Sequence, residues 1–330
     1  MKLKLVFMTA ALLVLGLSTA FAGNAARIGS AGAQELRIPY GSRGTAMGGA
    51  VVANTFGIES MYWNPAGLAS LEGTEAMFSY LPYIADINQN FVGVATNVEG
   101  FGTIGFGAKI ISIGEIEQTT VDFPDGNGRL FSPSLAVINV SYARVLTANV
   151  SFGASGMYVN EQIYDMAAHG LAFDAGFMYD PAWHGVKLGL AVKNYGSEMK
   201  FSGRGADRAS NLQRPEAPLS APFDLPASIN MGMSYEFLNQ GDNTALLCGN
   251  FLANTYSNDV VQGGAEYGYK GLYFLRGGYN YSKQNNWLNG ATLGAGLTIE
   301  LGEARCKFEY SWNQTDTFTD NQYFSVSMGF

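Results

Sequence analysis

Apolar side chains alternate with small or polar ones along most of the chain that follows residue 73. One face of residues 171–180 carries Leu171, Phe173, Ala175, Phe177 and Tyr179. The opposite face carries Ala172, Asp174, Gly176, Met178 and Asp180. The same two-faced pattern recurs at 186–193, 229–237 and 305–312. Because successive side chains of a β-strand point to opposite faces, the pattern predicts strands with one apolar surface.

Turn residues divide the alternating part of the chain into fourteen segments, an even number. The predicted strands lie at about 75–81, 90–98, 102–115, 133–146, 149–160, 170–180, 185–195, 227–237, 244–253, 259–269, 271–281, 288–301, 303–312 and 321–330. Such a series of strands with short connections is typical of an antiparallel sheet.

The predicted connections differ in length on the two sides of the sheet. Those after odd-numbered strands include long ones at 116–132, 161–169 and 196–226, whereas those after even-numbered strands are tight, as at Glu99-Gly100-Phe101 and Lys270-Gly271. Outer-membrane barrels combine long outer loops with short periplasmic turns. We therefore expect both termini to be periplasmic.

Composition indicates where the apolar surface lies. Only 14% of the 330 residues are charged and 13% are aromatic, whereas soluble domains carry roughly 25% charged residues. In a membrane, strands must close into a barrel to pair every backbone group. Aromatic residues at strand ends favour this fold over a secreted β-sandwich. We expect an all-β fold, a 14-stranded antiparallel transmembrane β-barrel with an N-terminal luminal plug containing a short helix.

Residues 1–22 have the organisation of a secretory signal peptide. Lys2 and Lys4 precede the apolar stretch 5–17, and Ala20-Phe21-Ala22 supplies small residues before a cleavage point. The apolar run is shorter than the ~20 residues of a membrane-spanning helix, which argues against the alternative of a transmembrane anchor. The expected location is the outer membrane of a Gram-negative-type bacterium, with its lipid as a partner.

The chain ends in Phe330, which shares one face of the last strand with Met328, Val326 and Phe324. This ending resembles the C-terminal signal by which bacterial outer-membrane barrels are recognised for assembly. The formal net charge of −8 argues against nucleic acid as a partner.

Sequence motifs of enzymes are missing. The chain has no G-x-S-x-G, H-E-x-x-H, Walker or CxxC motif. His169, in a predicted outer loop, and His184, in a predicted periplasmic turn, are too far apart to act together. We expect no enzymatic activity, no cofactor and no metal site. Cys248 and Cys306, on the ninth and thirteenth strands, are expected to be free.

Charged residues on the polar strand faces predict ion pairs in the lumen. Lys307 and Glu309 share one such face, where a satisfied ion pair is a more common arrangement than a proton-transfer couple. The predicted luminal polar residues are Asp174, Lys193, Glu236, Glu266, Arg276, Lys307 and Glu309.

Residues 23–73 precede the predicted barrel domain at 74–330 and are too rich in small residues to form a core of their own. Their apolar content favours a plug inside the barrel over a flexible periplasmic tail. Within them, Asn64 is suited to cap a short helix that has Pro65 in its first turn and Gly73 at its end.

Three segments resemble the amino-terminal signature of the PorV/PorQ family. They are Gly44–Ala50 (GTAMGGA), Tyr62–Leu68 (YWNPAGL), and Phe78–Tyr83 (FSYLPY) followed by Asp86-Ile87. The family belongs to the superfamily of FadL-type hydrophobic-solute transporters, whose plugs also carry an Asn-Pro-Ala element. The resemblance covers roughly residues 40–90, and the remainder matches only as a fourteen-stranded pattern.

The resemblance implies two alternative functions. PorV-like barrels act with the type IX secretion machinery, where they bind the C-terminal domains of exported proteins and pass them on. FadL-like barrels bind hydrophobic molecules and release them sideways through the wall. The motif region is closer to the first group. In either case the resemblance assigns a plug and ligand-gating role to Met47, Gly48, Gly49, Trp63, Asn64, Pro65, Ala66, Gly67 and Leu68.

Two further features have two interpretations each. The loop at 196–226 carries Arg204, Arg208 and Arg214 among four prolines, and is either a docking surface or a solvated loop. The pairs Gly263-Gly264 and Gly277-Gly278 either interrupt the wall at a lateral exit or permit close packing.

Overall fold

Fourteen long β-strands contain most of the described residues. The computed structural model describes residues 27–120, 122–203, 220–283, 290–316 and 318–330. Within these residues the strands, numbered β1 to β14 in chain order, are Thr74–Pro82, Asn88–Val98, Gly102–Ser112, Ser134–Thr147, Val150–Ile163, Met166–Trp183, Val186–Gly196, Ser228–Gln240, Asn243–Asn254, Val260–Tyr269, Tyr273–Ser282, Ala291–Leu301, Ala304–Asn313 and Asn321–Gly329. The predicted strand number is confirmed.

The strands form one closed antiparallel barrel. Each pairs with its neighbours in the chain, and β1 also pairs with β14, from Glu75 opposite Gly329 to Tyr80 opposite Phe324. Closure pairs both edges of the sheet, which is the arrangement that lipid requires of membrane-spanning strands.

The connections differ in length between the two ends of the barrel. At one end, called the turn end, they are tight, at 99–101, 148–149, 184–185, 241–242, 270–272 and 302–303. At the other, called the loop end, the connections 113–133 and 197–227 are long, as predicted. The first contains a short hairpin, in which Ile116–Glu117 pairs with Leu130–Phe131. In the second, Ser202–Gly203 pairs with β6.

The predicted long loop at 161–169 is wrong. β5 and β6 stay paired up to Ile163 opposite Met166, and only residues 164–165 join them. Tyr164, with a φ of 55°, supplies the left-handed backbone that such a tight reversal needs. His169 consequently lies within β6, where its Nδ1 is 2.9 Å from the Tyr158 hydroxyl.

The two faces of the wall differ as the alternation predicts. Phe106, Val140, Leu190, Leu275 and Leu293 point outward and expose between 41% and 65% of their surface. An apolar outer band of this kind suits contact with lipid. None of the described helices combines the length and the apolar character needed for a helix to cross a membrane.

Residues 27–73 run through the inside of the barrel as a plug. Their short helices are Gln34–Arg37, Ser42–Ala46, Ser60–Trp63 and Pro65–Ser70, of which the first and last are 3₁₀-helices. Met47, Val51, Ile58, Met61 and Leu68 expose none of their surface. The predicted signal peptide, residues 1–22, lies outside the described residues.

The helix predicted around Pro65 is present, but it ends earlier than expected. Asn64 caps it by accepting a hydrogen bond from the Ala66 N–H at 3.1 Å, and Pro65 occupies its first turn, as predicted. The helix ends at Ser70, so the prediction that Gly73 ends it is wrong. Gly73 instead lies against the carbonyl oxygen of Phe330, which an added Cβ would approach to 2.1 Å.

The plug enters and leaves the barrel at opposite ends. Arg27 forms an ion pair of 2.6 Å with Asp224, which belongs to the connection 197–227 at the loop end. Thr74, at the start of β1, donates its N–H to the Phe330 carbonyl at the turn end. Arg27 and Phe330 thus lie at opposite ends of the barrel, whereas the sequence prediction placed both termini on one side.

Irregular pairing occurs where the sequence did not predict it. Gly263-Gly264 and Gly277-Gly278 pair in unbroken register, which agrees with the second of their two interpretations, close packing. The register of β6 and β7 shifts between Phe173 and Ala175, beside Asn194, which has a φ of 55°. Cys248 and Cys306 are both free, as predicted, and both are buried.

Candidate functional site

Asn64 joins the plug to itself and to the barrel wall. Its side-chain amide donates to the carbonyl oxygens of Val52 at 2.8 Å and Phe177 at 3.1 Å, while its Oδ1 caps the following helix. The residue is fully buried, so each of these bonds replaces one to water. Gly176 of β6 makes the approach possible, since a Cβ there would lie 2.0 Å from Asn64 Oδ1.

The residues that follow Asn64 pack on the wall formed by β3 to β6. The Pro65 carbonyl carbon lies 2.2 Å from where a Cβ of Gly153 would be, so the backbones touch. Ala66 and Leu68 are fully buried, and Leu68 packs with Met61 and Phe91. Gly67 lies against the Thr55 carbonyl, within 2.4 Å of an added Cβ. The motif therefore fits a wall made of small residues.

Met47, Gly48 and Gly49 make an equivalent contact on the other side of the lumen. Gly264 and Gly278 lie against the Met47 backbone, at 2.5 and 2.3 Å from the positions of added Cβ atoms. Gly48 and Gly49 have φ values of 65° and 79°, which disfavour other residues. The paired glycines of β10 and β11 serve close packing with the plug.

Trp63 is fixed by a carboxylate that the sequence analysis did not single out. Glu59 Oε1 accepts from the indole N–H at 3.1 Å and from the Gly44 N–H at 2.7 Å. Glu59 belongs to the plug and not to a membrane-spanning strand. Burial, and to a smaller degree the negative charge of Glu309, raise the pKa of Glu59 to about 7.

A chain of four charged side chains ties the plug to the wall. Arg43 of the plug contacts Glu266 of β10 with its Nε at 2.9 Å from Oε2 and its Nη2 at 3.1 Å from Oε1. Glu266 Oε2 lies 2.6 Å from Arg276 Nε, and Arg276 Nη2 lies 3.0 Å from Glu309 Oε1. Two positive and two negative groups alternate, so the chain is balanced and each buried charge has a partner.

Sequence reasoning predicted three members of this ion chain and missed the fourth. Glu266, Arg276 and Glu309 were identified from strand alternation. Arg43 was not, although an arginine among the small residues of a plug motif signals a buried partner, because an unpaired charge cannot be buried at low cost. Its Nη1 also donates to the Asn54 carbonyl at 2.7 Å, and its Nη2 to the Asn54 Oδ1 at 2.8 Å.

Lys307 and Glu236, also predicted to be luminal, do not join the ion chain. Lys307 lies 4.0 Å from Glu75 and 5.4 Å from the Phe56 ring centre. Glu236 is at the turn end, where its side chain accepts from Asn239 and its N–H donates to the Gly185 carbonyl. The inward alternation of β8 continues to the turn end, where Glu236 is half-buried.

Asp174 and Lys193 lie across the lumen from the ion chain, at the register shift of β6 and β7. Asp174 Oδ1 accepts from the Asn194 N–H at 2.6 Å, and Lys193 Nζ lies 3.5 Å from the Tyr62 ring centre, a cation–π contact. They border a cavity of about 20 Å³, which has room for one water molecule. Tyr62 had been noted only as part of the family motif.

At the loop end of the lumen an apolar cluster lies beside the buried charged residues Glu35, Lys109 and Glu161. Leu36 of the plug and Met199 of the connection 197–227 are buried there against inward-facing side chains of β4 to β6. The cluster comprises Ala33, Leu36, Val137, Met157, Val159, Ala168, Ala172, Met199 and Leu225.

The arginines of the predicted docking loop cannot be placed. Arg204, Arg208 and Arg214 of the predicted docking loop lie outside the described residues. Among the described residues, no three His, Cys, Asp or Glu side chains are grouped so that they could hold a metal ion. The plug and the wall pack closely against each other, and the charge-balanced ion chain joins them on one side of the lumen.

Sequence comparison gives one family match. The family model described as type IX secretion system protein PorV matches residues 24–225, which include the plug and the first seven strands. No curated protein sequence matches the chain.

Solved structures with the same fold are FadL-like barrels. The toluene transporter TodX of Pseudomonas putida has a TM-score of 0.56 at 14% identity, over 88% of this chain and 97% of TodX. The CymD monoaromatic hydrocarbon channel has a TM-score of 0.54 at 15% identity, over 88% and 98%. A FadL homologue of Pseudomonas aeruginosa has a TM-score of 0.53 at 13% identity, over 88% and 98%. These likenesses show the fold, that of an outer-membrane β-barrel.

Proposed function

The chain belongs to the PorV family of type IX secretion system proteins, and on this premise we propose that it serves type IX protein secretion without being an enzyme. It binds the C-terminal domains of exported proteins at the outer membrane and passes them to other components of the system. The family match over residues 24–225 is the observation that carries this proposal.

The filled lumen supports a role at the surface of the barrel and not passage of protein through it. The fully buried plug residues Met47, Met61 and Leu68 leave no route for a polypeptide between the described parts of plug and wall. Cargo therefore binds at the loop end, where the two longest connections between strands, 113–133 and 197–227, lie. Residues 23–73 act as one unit that keeps the barrel closed.

The proposed orientation places the loop end outside the cell and the turn end in the periplasm. Long outer connections over tight periplasmic turns are the usual arrangement of such barrels. Phe330 is then periplasmic, while Arg27 lies at the outer end of the lumen.

Cargo capture tests the secretion role. The purified barrel in detergent should retain an isolated C-terminal domain of an exported protein, and a variant with residues 116–131 replaced by a short Gly-Ser linker should retain less. Deletion of the gene should remove a set of proteins from the secreted fraction. An unchanged secreted fraction together with no capture would exclude the proposal.

Transport of hydrophobic small molecules is the alternative, and one observation favours it. The apolar cluster at the loop end, which includes Leu36 and Met199, is a buried site that an apolar ligand would occupy if these two side chains moved aside. TodX is described as a toluene transporter and CymD as a monoaromatic hydrocarbon channel, and both names refer to small apolar molecules. The plug residues Trp63 and Asn64 would then gate release.

Native mass spectrometry distinguishes this alternative. A transporter should carry a copurified lipid or aromatic molecule, which Trp63→Ala or Asn64→Ala should lose. A barrel free of ligand that still captures cargo supports the secretion role.

A further inference from the structure

A groove of about 650 Å³ lies at the rim of the loop end, beside the seam where β1 pairs with β14. It runs between the connection from β1 to β2 and the connection from β13 to β14. Its lining combines two carboxylates, two amides and an exposed aromatic ring, which belong to Asp86, Asp320, Asn88, Gln322 and Phe318. A groove of this volume and mixed lining has the dimensions of a small-molecule site.

The groove opens on the outer face of the barrel, at the level of lipid headgroups. Gln322 shares one face of β14 with the outward-pointing Phe324. Two outward tyrosines near the loop ends of their strands border it. The Tyr80 hydroxyl donates to Asn88 Oδ1 at 2.8 Å, and the Tyr310 hydroxyl donates to Gln322 Oε1 at 3.3 Å. Because tyrosines of membrane proteins concentrate at the interface between lipid and water, a molecule in this groove lies beside the headgroups.

The lining of the groove is negatively charged. It includes Asp86 and Asp320 but no lysine, arginine or histidine. Neither aspartate forms an ion pair within the described parts of the chain. Asp320 is fixed in place, since its two oxygens accept from the Trp312 indole N–H at 3.1 Å and from the Thr315 N–H at 2.9 Å. A carboxylate has about four acceptor positions, so it can still accept from a cation with several N–H groups.

Asp86 borders the groove from a tight turn. Ala85 and Asp86 have φ values of 51° and 61°, and the Tyr83 N–H donates to the Ile87 carbonyl at 2.7 Å. The turn thus contains Asp86-Ile87, the end of the third signature segment, which takes no part in the contacts between plug and wall described above. A site here gives that segment a function of its own.

Neutral donors accompany the two carboxylates. Gln322 uses its oxygen to accept from Tyr310, which leaves its NH₂ group to donate elsewhere. Thr319, which is exposed, adds a hydroxyl to the lining. Amide and hydroxyl donors suit phosphate oxygens, so the groove offers acceptors for a cation and donors for an anion.

Below the groove, the seam between β1 and β14 has an apolar outer surface. Phe78 lies opposite Val326, and Tyr80 lies opposite Phe324. These four side chains expose between 36% and 51% of their surface toward the lipid side. Acyl chains that extend from a headgroup in the groove would lie along them.

We propose that the groove binds a membrane lipid whose headgroup carries a primary ammonium group and a phosphate, as phosphatidylethanolamine does. The ammonium donates to the carboxylates of Asp86 and Asp320, and the phosphate accepts from Thr319 and Gln322. The site is independent of cargo binding and of the plug, because it uses the outer face of the seam.

Binding of short-chain lipids to the purified full-length protein tests the site. Native mass spectrometry in detergent compares dihexanoyl phosphatidylethanolamine with its N-acetylated derivative, which keeps the phosphate and the acyl chains but lacks the ammonium. The wild type should bind the first lipid about tenfold more tightly, because charge-assisted hydrogen bonds are lost with the derivative. Equal binding of the two lipids would overturn the proposal.

Asp86→Asn tests the protein side of the same contact. Asparagine tolerates the left-handed backbone at this position, so the turn is kept. The variant should bind dihexanoyl phosphatidylethanolamine about fivefold more weakly than the wild type, and its binding of the N-acetylated derivative should not weaken. Asp242→Asn is the matched control, because it removes a 59% exposed carboxylate at the turn end, and it should bind both lipids as the wild type does. The proposal is wrong if the two variants bind phosphatidylethanolamine equally tightly.

Discussion

Arg43 of the plug and Glu266 of β10 form a two-pronged ion pair across the lumen, with nitrogen–oxygen distances of 2.9 and 3.1 Å. The side chains expose 5% and 13% of their surface, so water and salt screen the pair weakly. One guanidinium of the plug is therefore joined to the wall by a weakly screened ion pair.

Loss of this ion pair should destabilise the protein. Arg43→Ala should lower the free energy of unfolding by about 3 kcal/mol, because it removes one partner of a buried pair. Arg305→Ala is the control, since Arg305 and Glu300 are 3.4 Å apart and 61% and 63% exposed, and its cost should stay below about 1 kcal/mol. Urea unfolding in lipid vesicles, followed by tryptophan fluorescence, measures both, and equal losses would contradict the assignment.

Asn64 should be a second sensitive position. Asn64→Ala removes the helix cap and leaves the carbonyls of Val52 and Phe177 without their donor, at a cost of about 2 kcal/mol. Asn64→Ser keeps an oxygen that can cap and should lose less. The same unfolding measurement ranks the two variants, and a serine variant as unstable as the alanine one would mean that the cap contributes nothing.

The strands could be predicted because the order of residues within each strand indicates which side faces lipid and which faces the lumen. An apolar residue at every second position reports the lipid-facing side, and the cap at Asn64 is equally local. The prediction of a loop at 161–169 failed because Tyr164, Asp165 and His169 are of residue types common in loops. In the structure Asn160 pairs with His169, so β5 and β6 continue through most of this segment. The pairing of these two strands with each other, which the local sequence does not reveal, determines the structure there.

The contacts between plug and wall could not be predicted, because they depend on how the barrel closes. Alternation identifies Glu266 as luminal but gives neither its height in the barrel nor its partner. Arg43 reaches it from 223 positions earlier in the chain. The glycines at 264 and 278 were equally ambiguous until the Met47 backbone was seen to lie against them.

Close packing at Gly176 should make it intolerant of a side chain. Gly176→Ala would place a Cβ 2.0 Å from Asn64 Oδ1, so the plug must shift, at a cost of about 1 to 3 kcal/mol. Gly249→Ala, on β9, is the matched control because nothing lies within 4 Å of its added Cβ. Protease digestion of the folded protein should cut the plug faster in the first variant only. Equal cleavage of the two variants would show that the structure accommodates a Cβ at position 176 without a shift of the plug.

Stability should fall as the pH rises, through Glu59. Burial raises its pKa from 4.5 to about 7, so the folded protein holds this proton more tightly than the unfolded chain does. The contribution is fully present below pH 4.5 and is lost as the pH rises through about 7. Glu59→Gln keeps an oxygen that can accept from Gly44 and Trp63 but cannot ionise. Unfolding at about pH 5 and about pH 8 should show a loss of stability in the wild type that is smaller in the variant, and an identical loss in both would assign the effect to another group.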